Sequence, residues 1–300
     1  SAEEKAKILA VVENAVEEYE NMLQSETWLS ELSRQKAVEK LKNIGVRAVY
    51  PDTFEDYTKL SLDPSSSLAD SVAAISDFEM ARNGSKAGTP YSKTDWDLGT
   101  TPTMAVNAYY SPGFNHITIL AGILADKMNE SSSDEEILGG VGYVIGHEIS
   151  HGFDNTGAEY DKDGYYTSWW KQEDKEAFEE KGRKLVSYMS GQTPYPGAPM
   201  YDGKNVQGET IADMGGMKCM LLIARKIPNF DYEKFFDSYA TMWREKLSLP
   251  NAQKAAENEH AMSYLRVNCV IPQFDEFINT FAVQPGDGMY VAPDQRVAVW

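Results

Sequence analysis

Apolar and charged positions alternate at helical spacing over residues 3–24 and again over residues 30–44, the second run closed by Gly45. Both runs predict amphipathic surface helices of a bundle. Pro51 begins a break, and residues 67–82 predict a third helix, ended by Asn83-Gly84. The stretch 83–103, rich in Gly, Thr, Pro and Ser, reads as loop. Thr103 to Tyr110 and Asn115 to Leu120 then predict two strands around the turn Ser111-Pro112-Gly113. From Ser133 the pattern turns apolar as far as Gly152. Ser133-Asp134-Glu135-Glu136 forms a capping box in front of it, with acidic residues that suit a first helical turn, so this segment predicts a buried helix. A polar stretch 154–164, a charged helix over 168–190, a proline-containing loop from Pro194 to Gly208, and a helix from Glu209 to Ala224 follow. The last long helix, 231–247, carries Tyr232, Phe235, Phe236, Tyr239 and Trp243, most of them expected in the core. The sum is a mainly α chain with a small β-sheet, an α+β arrangement.

The apolar segment before Gly152 contains His147-Glu148-Ile149-Ser150-His151. On a helix, positions i and i+4 lie on one face, so His147 and His151 can present two imidazoles to one metal ion. Glu148 projects about 100° round the helix from His147. That placement reaches a water activated by the metal rather than the metal itself, the general-base arrangement of a zinc peptidase. The competing explanation is a chance pattern on a core helix. Half of the four histidines fall in this one motif, and buried polar groups need partners, which favours metal.

A catalytic zinc site takes three protein ligands. One class of zinc peptidase supplies a third histidine six residues after the second, with a glycine midway; here those positions hold Gly157 and Asp154, which excludes it. Another class takes a glutamate from a later helix. In Gly208-Glu209-Thr210-Ile211-Ala212-Asp213, Glu209 and Asp213 share a helical face, so Glu209 can bind the metal while Asp213 accepts a hydrogen bond from a ligand imidazole. Asp154 can serve the other histidine in the same way. A solvated acidic face is the alternative for Glu209 and Asp213 in so acidic a chain. Asp161-Lys162-Asp163-Gly164 lacks the following glutamate of a calcium loop, and His116 matches no motif and is expected to be structural.

Val144-Ile145-Gly146-His147-Glu148-Ile149-Ser150-His151-Gly152-Phe153-Asp154, followed by Gly208-Glu209-Thr210-Ile211-Ala212-Asp213, resembles the neprilysin (M13) family of zinc endopeptidases and its bacterial oligopeptidase O members. Asn107-Ala108-Tyr109-Tyr110 is similar to the substrate-binding strand of that family, and Trp300 to its C-terminal tryptophan. The resemblance implies a thermolysin-like catalytic domain over residues 73–300. Residues 1–72 would be the last helices of an incomplete helical covering domain, because full-length members are about twice as long. It implies one zinc per chain on His147, His151 and Glu209, with Glu148, His260 and Asp213 catalytic and Asp154 and Asp213 orienting the ligands. Asn107 and Ala108 would hold substrate backbone. His260 would donate to the oxyanion, and Arg266 would bond a substrate carbonyl and brace the site. Ile123, Val144 and Trp243 would wall a pocket for a bulky apolar residue after the scissile bond. The residues alone make Asn107 a turn-proximal amide and give no role to His260 or Arg266. The chain ends Val297-Ala298-Val299-Trp300 where animal members often end Cys-Arg-Val-Trp, so a contact made by that arginine has no counterpart at its position; Arg296 is near.

The formal charge of −18 argues against a nucleic-acid partner, whose phosphates would be repelled. No run of about 20 apolar residues predicts a membrane span. Cys219 and Cys269 are too few for a disulfide framework, and Cys219 reads as a buried small residue. Ser1 to Lys5 does not read as a signal peptide. The expectation is a bacterial, cytoplasmic protein, with secretion or cell-surface display as the alternative because the native N-terminus reads as missing. Nothing specifies an oligomeric state. The function expected is zinc-dependent endopeptidase action on oligopeptides, on the amino side of bulky hydrophobic residues. The alternative is a truncated, catalytically weak zinc-binding fragment or a surface binding module.

Overall fold

In the computed structural model, which describes residues 1–90, 92–96, 101–125, 128–129 and 131–300, the first helix, α1 (Ala2–Ser25), is set by Ser1 and Glu4 in a capping box. Its buried stripe of Ile8, Val12, Ala15, Tyr19, Met22 and Leu23 recurs every three or four residues. Each large side chain so buried contributes about 1.5–3 kcal/mol. Ser30 caps α2 (Glu31–Lys42), which buries Ala37, Lys40 and Leu41. Beyond Gly45 the chain forms a strand that the hydrophobic pattern did not single out, β1 (Gly45–Val49). The helix α3 (Leu68–Ser85) matches the expected 67–82, but buries no residue fully. Of the loop expected at 83–103, residues 91 and 97–100 lie outside the described residues.

The sheet has the order β1–β3–β2. The strand β2 (Ala108–Ser111) is shorter than the expected 103–110, because turns occupy most of 103–106. It pairs antiparallel with β3 (His116–Leu120), Ala108 opposite Ile119, while β1 runs parallel to β3 with Gly45 opposite His116. β2 is therefore an edge strand. Asn115 sits between β2 and β3 with φ +47°, a left-handed conformation that asparagine tolerates. Its buried side chain donates to the carbonyls of Lys40 (3.0 Å) and Lys162 (2.9 Å) and accepts from Tyr110 Oη.

The long helix expected from Ser133 to Gly152 is broken. The capping box at Ser133 and Glu136 is present and opens α4 (Asp134–Ile137). The turn 138–142 then widens to the π type, with Gly140 at non-helical angles (φ −97°, ψ −107°). A regular helix could not pass there with side chains at every position: a Cβ on Gly139 would lie 2.4 Å from the carbonyl oxygen of Phe235. The chain resumes as α5 (Tyr143–Ser150) and tightens into a 3₁₀ turn over His151–Phe153. Next come α6 (Gln172–Ser190), α7 (Gln207–Ala224) and α8 (Tyr232–Met242). The last is shorter than the expected 231–247 and leaves Trp243 as its C-cap. Short helices α9 (Leu249–Ala255), α10 (Ser263–Asn268) and α11 (Asp275–Thr280) complete the fold. Among the described residues no helix is long and apolar enough to cross a membrane.

The centre of the molecule is the packing of α5 on α7. A Cβ on Gly216 would stand 2.6 Å from His147 N and 3.0 Å from its Cα, and one on Gly146 would stand 2.9 Å from Gly216 Cα. The two backbones touch directly because neither has a side chain there. From the other side, Tyr19 Oη of α1 donates to Ser150 Oγ (2.9 Å), and a Cβ on Gly215 would intrude on both atoms. Lys40, buried, donates from Nζ to the carbonyls of Gly157 (2.6 Å) and Tyr160 (2.7 Å), tying α2 to the loop after α5. Trp300 is buried as well: its indole donates to Phe153 O (3.0 Å) and packs on Trp28 at 5.2 Å. Arg296 turns to Asp275 (2.6 Å). Gly216→Ala should force α7 away from His147, cost about 1–3 kcal/mol and lower the metal content of the chain. Thermal unfolding together with metal analysis checks this, and a Tm and metal content equal to the parent's would show that the close approach is dispensable.

Candidate metal centre

The apolar face of α5 puts His147, and the 3₁₀ turn after it puts His151, one helical turn apart with their Nε2 atoms 3.0 Å from each other. The first turn of α7 brings Glu209 against both: Oε2 lies 3.3 Å from His147 Nε2 and Oε1 3.5 Å from His151 Nε2. Behind each imidazole stands a carboxylate. His147 Nδ1 meets Asp213 Oδ1 at 2.8 Å, and His151 Nδ1 meets Asp154 Oδ2 at 2.6 Å. Ionised carboxylates only accept, so each Nδ1 carries the proton and each Nε2 turns its lone pair toward the other and toward Glu209.

The carboxylates are themselves held. Asp154 Oδ1 accepts from the backbone N–H of Thr156 (2.7 Å) and Gly157 (2.6 Å). Asp213 accepts from Tyr143 Oη and from Arg266, whose Nε lies 2.9 Å from Oδ2. The Arg266 guanidinium in turn lies 3.9 Å above the Trp243 ring. Burial opposes a charge on His147, but the Asp213 and Glu209 carboxylates outweigh it and push its pKa up to about 10. Burial likewise works against ionised Glu209, and hydrogen bonding and charge from His147, with His151 and His260, hold it down to about 2. Burial raises Glu148, against the pull of the two histidines. The site thus draws in one positive charge, either a proton on an imidazole or a cation that displaces it.

The donor set fits zinc. The ligand atoms of His147, His151 and Glu209 all lie within 4.8 Å of one another. Two nitrogens on one tetrahedral zinc stand about 3.3 Å apart, close to the 3.0 Å seen here. Glu209 Oε2 is shielded from solvent and its nearest neighbours of opposite polarity among the described residues are the imidazole nitrogens of His147 and His260, an acceptor that a cation on the first of these nitrogens would also meet.

A cleft of about 420 Å³ runs over this centre, lined by Asn107, Ala108, His147, Glu148, His151, Glu209 and His260. The fold therefore gathers the histidines, both glutamates, the β2 residues and His260 in one place, with Asp154 on its wall and Asp213 behind. Arg266 is buried behind the ligands rather than on the cleft wall. Ile123, Val144 and Trp243 do not line this cleft. Val144 is buried on α5 and Ile123 packs against the core. Trp243 stands edge-on to Tyr143 and lines a separate cavity of about 600 Å³ with Thr241, Met262 and Tyr264. Two supporting residues were not singled out from sequence. Tyr143 precedes His147 by four positions and so shares its helical face. Asn258 precedes His260 by two, and its Oδ1 stands 2.8 Å from His260 Nδ1; a polar residue two positions from a candidate histidine was the available signal.

Residues 107–297 match peptidase family M13. The chain is 36% identical over 299 residues to the neutral endopeptidase of Lactococcus lactis subsp. cremoris, covering 99% of this chain and 47% of that protein. Among solved structures it is similar to PepO of Lactobacillus rhamnosis (TM-score 0.88, 34% identity, 99% of this chain and 47% of that one). It is also similar to the zinc metalloprotease Zmp1 of Mycobacterium tuberculosis solved with an inhibitor (TM-score 0.83, 31% identity, 98% and 47%). The chain spans about half the length of these relatives. Glu209→Val should reduce bound zinc from about one per chain to near none with the fold retained by circular dichroism. Unchanged zinc in that variant would remove Glu209 from the ligand set.

Proposed function

The chain belongs to peptidase family M13, and from that premise we propose that its metal centre hydrolyses internal peptide bonds of short peptides. The single observation that carries this reading is the convergence of two carboxylate-pinned imidazoles and Glu209 in a cleft whose wall also carries Glu148. Zinc held by His147, His151 and Glu209 would supply Lewis acidity, acidifying a water and polarising the scissile carbonyl. Glu148 takes the proton from the attacking water and passes it to the leaving amine. Its burial raises its pKa, which makes it a better base once ionised and a competent acid afterwards. His260 lines the cleft with Nε2 3.1 Å from Glu209 Oε2; burial lowers its pKa against the pull of the Glu209 carboxylate, and when protonated it donates to the oxyanion, a kind of contact that contributes about 3 kcal/mol. Asp154 and Asp213 keep each Nδ1 protonated. Arg266, bonded to Asp213, fixes that carboxylate.

The substrate lies extended along β2. As an edge strand, β2 offers backbone groups to an added strand irrespective of sequence, and Asn107 and Ala108 stand where it enters the cleft. Asn107 Oδ1 accepts from Ala108 N (3.0 Å), which leaves the side-chain amide N–H₂ for substrate. Cleavage before bulky apolar residues is part of the proposal, with Trp243, Ile123 and Val144 as the walls. Those side chains stand outside the cleft in this structure, and Trp243 is covered by Arg266 and Tyr143, so substrate would have to open a path to reach them.

Glu148→Gln should keep about one zinc per chain and lose turnover of a quenched oligopeptide containing Phe or Leu by about 10²–10⁴-fold. Mass analysis of the parent's products should place the cut inside the peptide, on the amino side of Phe or Leu. Near-parental turnover in the variant would contradict the mechanism. Zinc without turnover in parent and variant alike would favour a binding module over an enzyme.

A further inference from the structure

The proposed reaction gives no task to the ammonium of Lys40 on α2, although the residue is only 1% exposed. Burying a cation is costly unless neighbours answer it. Two carbonyls do so: Nζ donates to Gly157 O (2.6 Å) and to Tyr160 O (2.7 Å). The rings of Tyr110 and Phe153 face the ammonium at 5.9 and 5.7 Å. Burial still drags its pKa down to about 7, against the pull of the Asp154 and Asp161 carboxylates. Both carbonyls belong to the turn that brings Asp154 back against His151. Gly157 is the pivot of that turn. Its N–H donates to Asp154 Oδ1 (2.6 Å), and Asp154 Oδ2 meets His151 Nδ1 (2.6 Å). A Cβ on Gly157 would lie 1.8 Å from the carbonyl oxygen of His151. Gly157 therefore presses on the backbone of His151 and also bonds the carboxylate behind its ring. The opposite wall of the cleft reaches Lys40 as well. Tyr110 lines the cleft from β2 and donates to Asn115 Oδ1 (3.0 Å), and the Asn115 amide donates to Lys40 O (3.0 Å).

We propose that Lys40 is a positioning residue for the metal centre, its ammonium clamping Gly157 so that Asp154 and His151 are preorganised to receive zinc. It acts through Gly157 and Asp154 and touches neither metal nor substrate. A water in its place could bond the same carbonyls, but only an ammonium on a stem fixed in α2 ties them to another element. Lys40 lies within residues 1–72, which the family resemblance assigns to the covering helices, so the metal centre draws on a side chain outside residues 73–300. This inference rests on the reading of His147, His151 and Glu209 as a zinc site.

The test is a zinc titration of the whole chain against a chromogenic chelator, with the visible spectrum of the cobalt-substituted chain recorded beside it. Four proteins are compared well below their unfolding temperatures: the parent, Lys40→Met, Lys40→Gln and Phe236→Leu. Methionine keeps an unbranched stem without the charge, and glutamine keeps N–H donors without the charge. Phe236→Leu thins the aromatic cluster with Phe277 and Phe281 and loses stability away from the clamp. Lys40→Met should weaken zinc by about tenfold or more and shift the cobalt bands that report ligand geometry. Lys40→Gln should do both to a smaller degree, and Phe236→Leu should do neither. Parental zinc affinity and cobalt bands in Lys40→Met, or equal changes in Phe236→Leu, overturn the proposal. If Lys40→Met does not fold, the same readings on Lys40→Gln decide. Failure of both to fold makes the ammonium a requirement of the fold alone and overturns the proposal too. A parent that binds no tight zinc overturns the metal centre itself, and the part of Lys40 with it.

Discussion

Everything in this molecule depends on how closely α7 can approach α5. Gly146 and Gly216 let two helix backbones touch, with no room for a Cβ at Gly216 against His147 N. Interiors packed to crystal density transmit small displacements, so this contact fixes more than two helices. It sets Glu209 and Asp213, four residues apart on α7, against the two edges of His147, which lies on α5. The break at Gly140 serves the same end, since it lets α4 and α8 pack closely while α5 keeps its own direction toward α7. Tyr19 of α1, hydrogen-bonded to Ser150, closes the other side of α5.

The second level is electrostatic. The polar and charged groups around His147 and His151 would be costly to bury alone. They are tolerable because each answers another: Asp154 takes two backbone N–H groups and an imidazole, while Asp213 takes an imidazole, a phenol and a guanidinium. The chain of contacts from Trp243 through Arg266 to Asp213 to His147 runs from the aromatic core to the ligand atom. What remains, two Nε2 atoms 3.0 Å apart with the Glu209 carboxylate facing both, is a cluster that a cation completes. Stability and metal affinity therefore draw on the same contacts here, and changes behind the ligands should move both.

Much of this was legible in the sequence because it is local. The spacing of His147 and His151 and of Glu209 and Asp213 is a statement about one helical face, and Asp154 stands one turn beyond His151. The capping box at Ser133 and Glu136 likewise marked a true helix start. What failed was non-local. The hydrophobic pattern gives β1 no element, because a five-residue run such as Gly45–Val49 becomes a strand only beside β3, some seventy residues further on. The break at Gly140 had a local signal in Gly139-Gly140 and Gly142, but the close approach of the Phe235 carbonyl to Gly139 comes from across the core. Lys40 reads as a surface lysine of an amphipathic helix, yet its ammonium group is buried under two carbonyls of the loop after α5. The roles of His260 and Arg266 came from family resemblance alone. The structure gives them physical partners: Asn258 and Glu209 for the one, Asp213 and Trp243 for the other.

The central claim is that three side chains from two helices share one zinc ion. The most direct measurement is anomalous scattering at the zinc edge from crystals of the chain grown with one equivalent of zinc. The account predicts one strong peak, about 2 Å from His147 Nε2, from His151 Nε2 and from a Glu209 carboxylate oxygen. A peak held by other side chains, or none between these three, would contradict it.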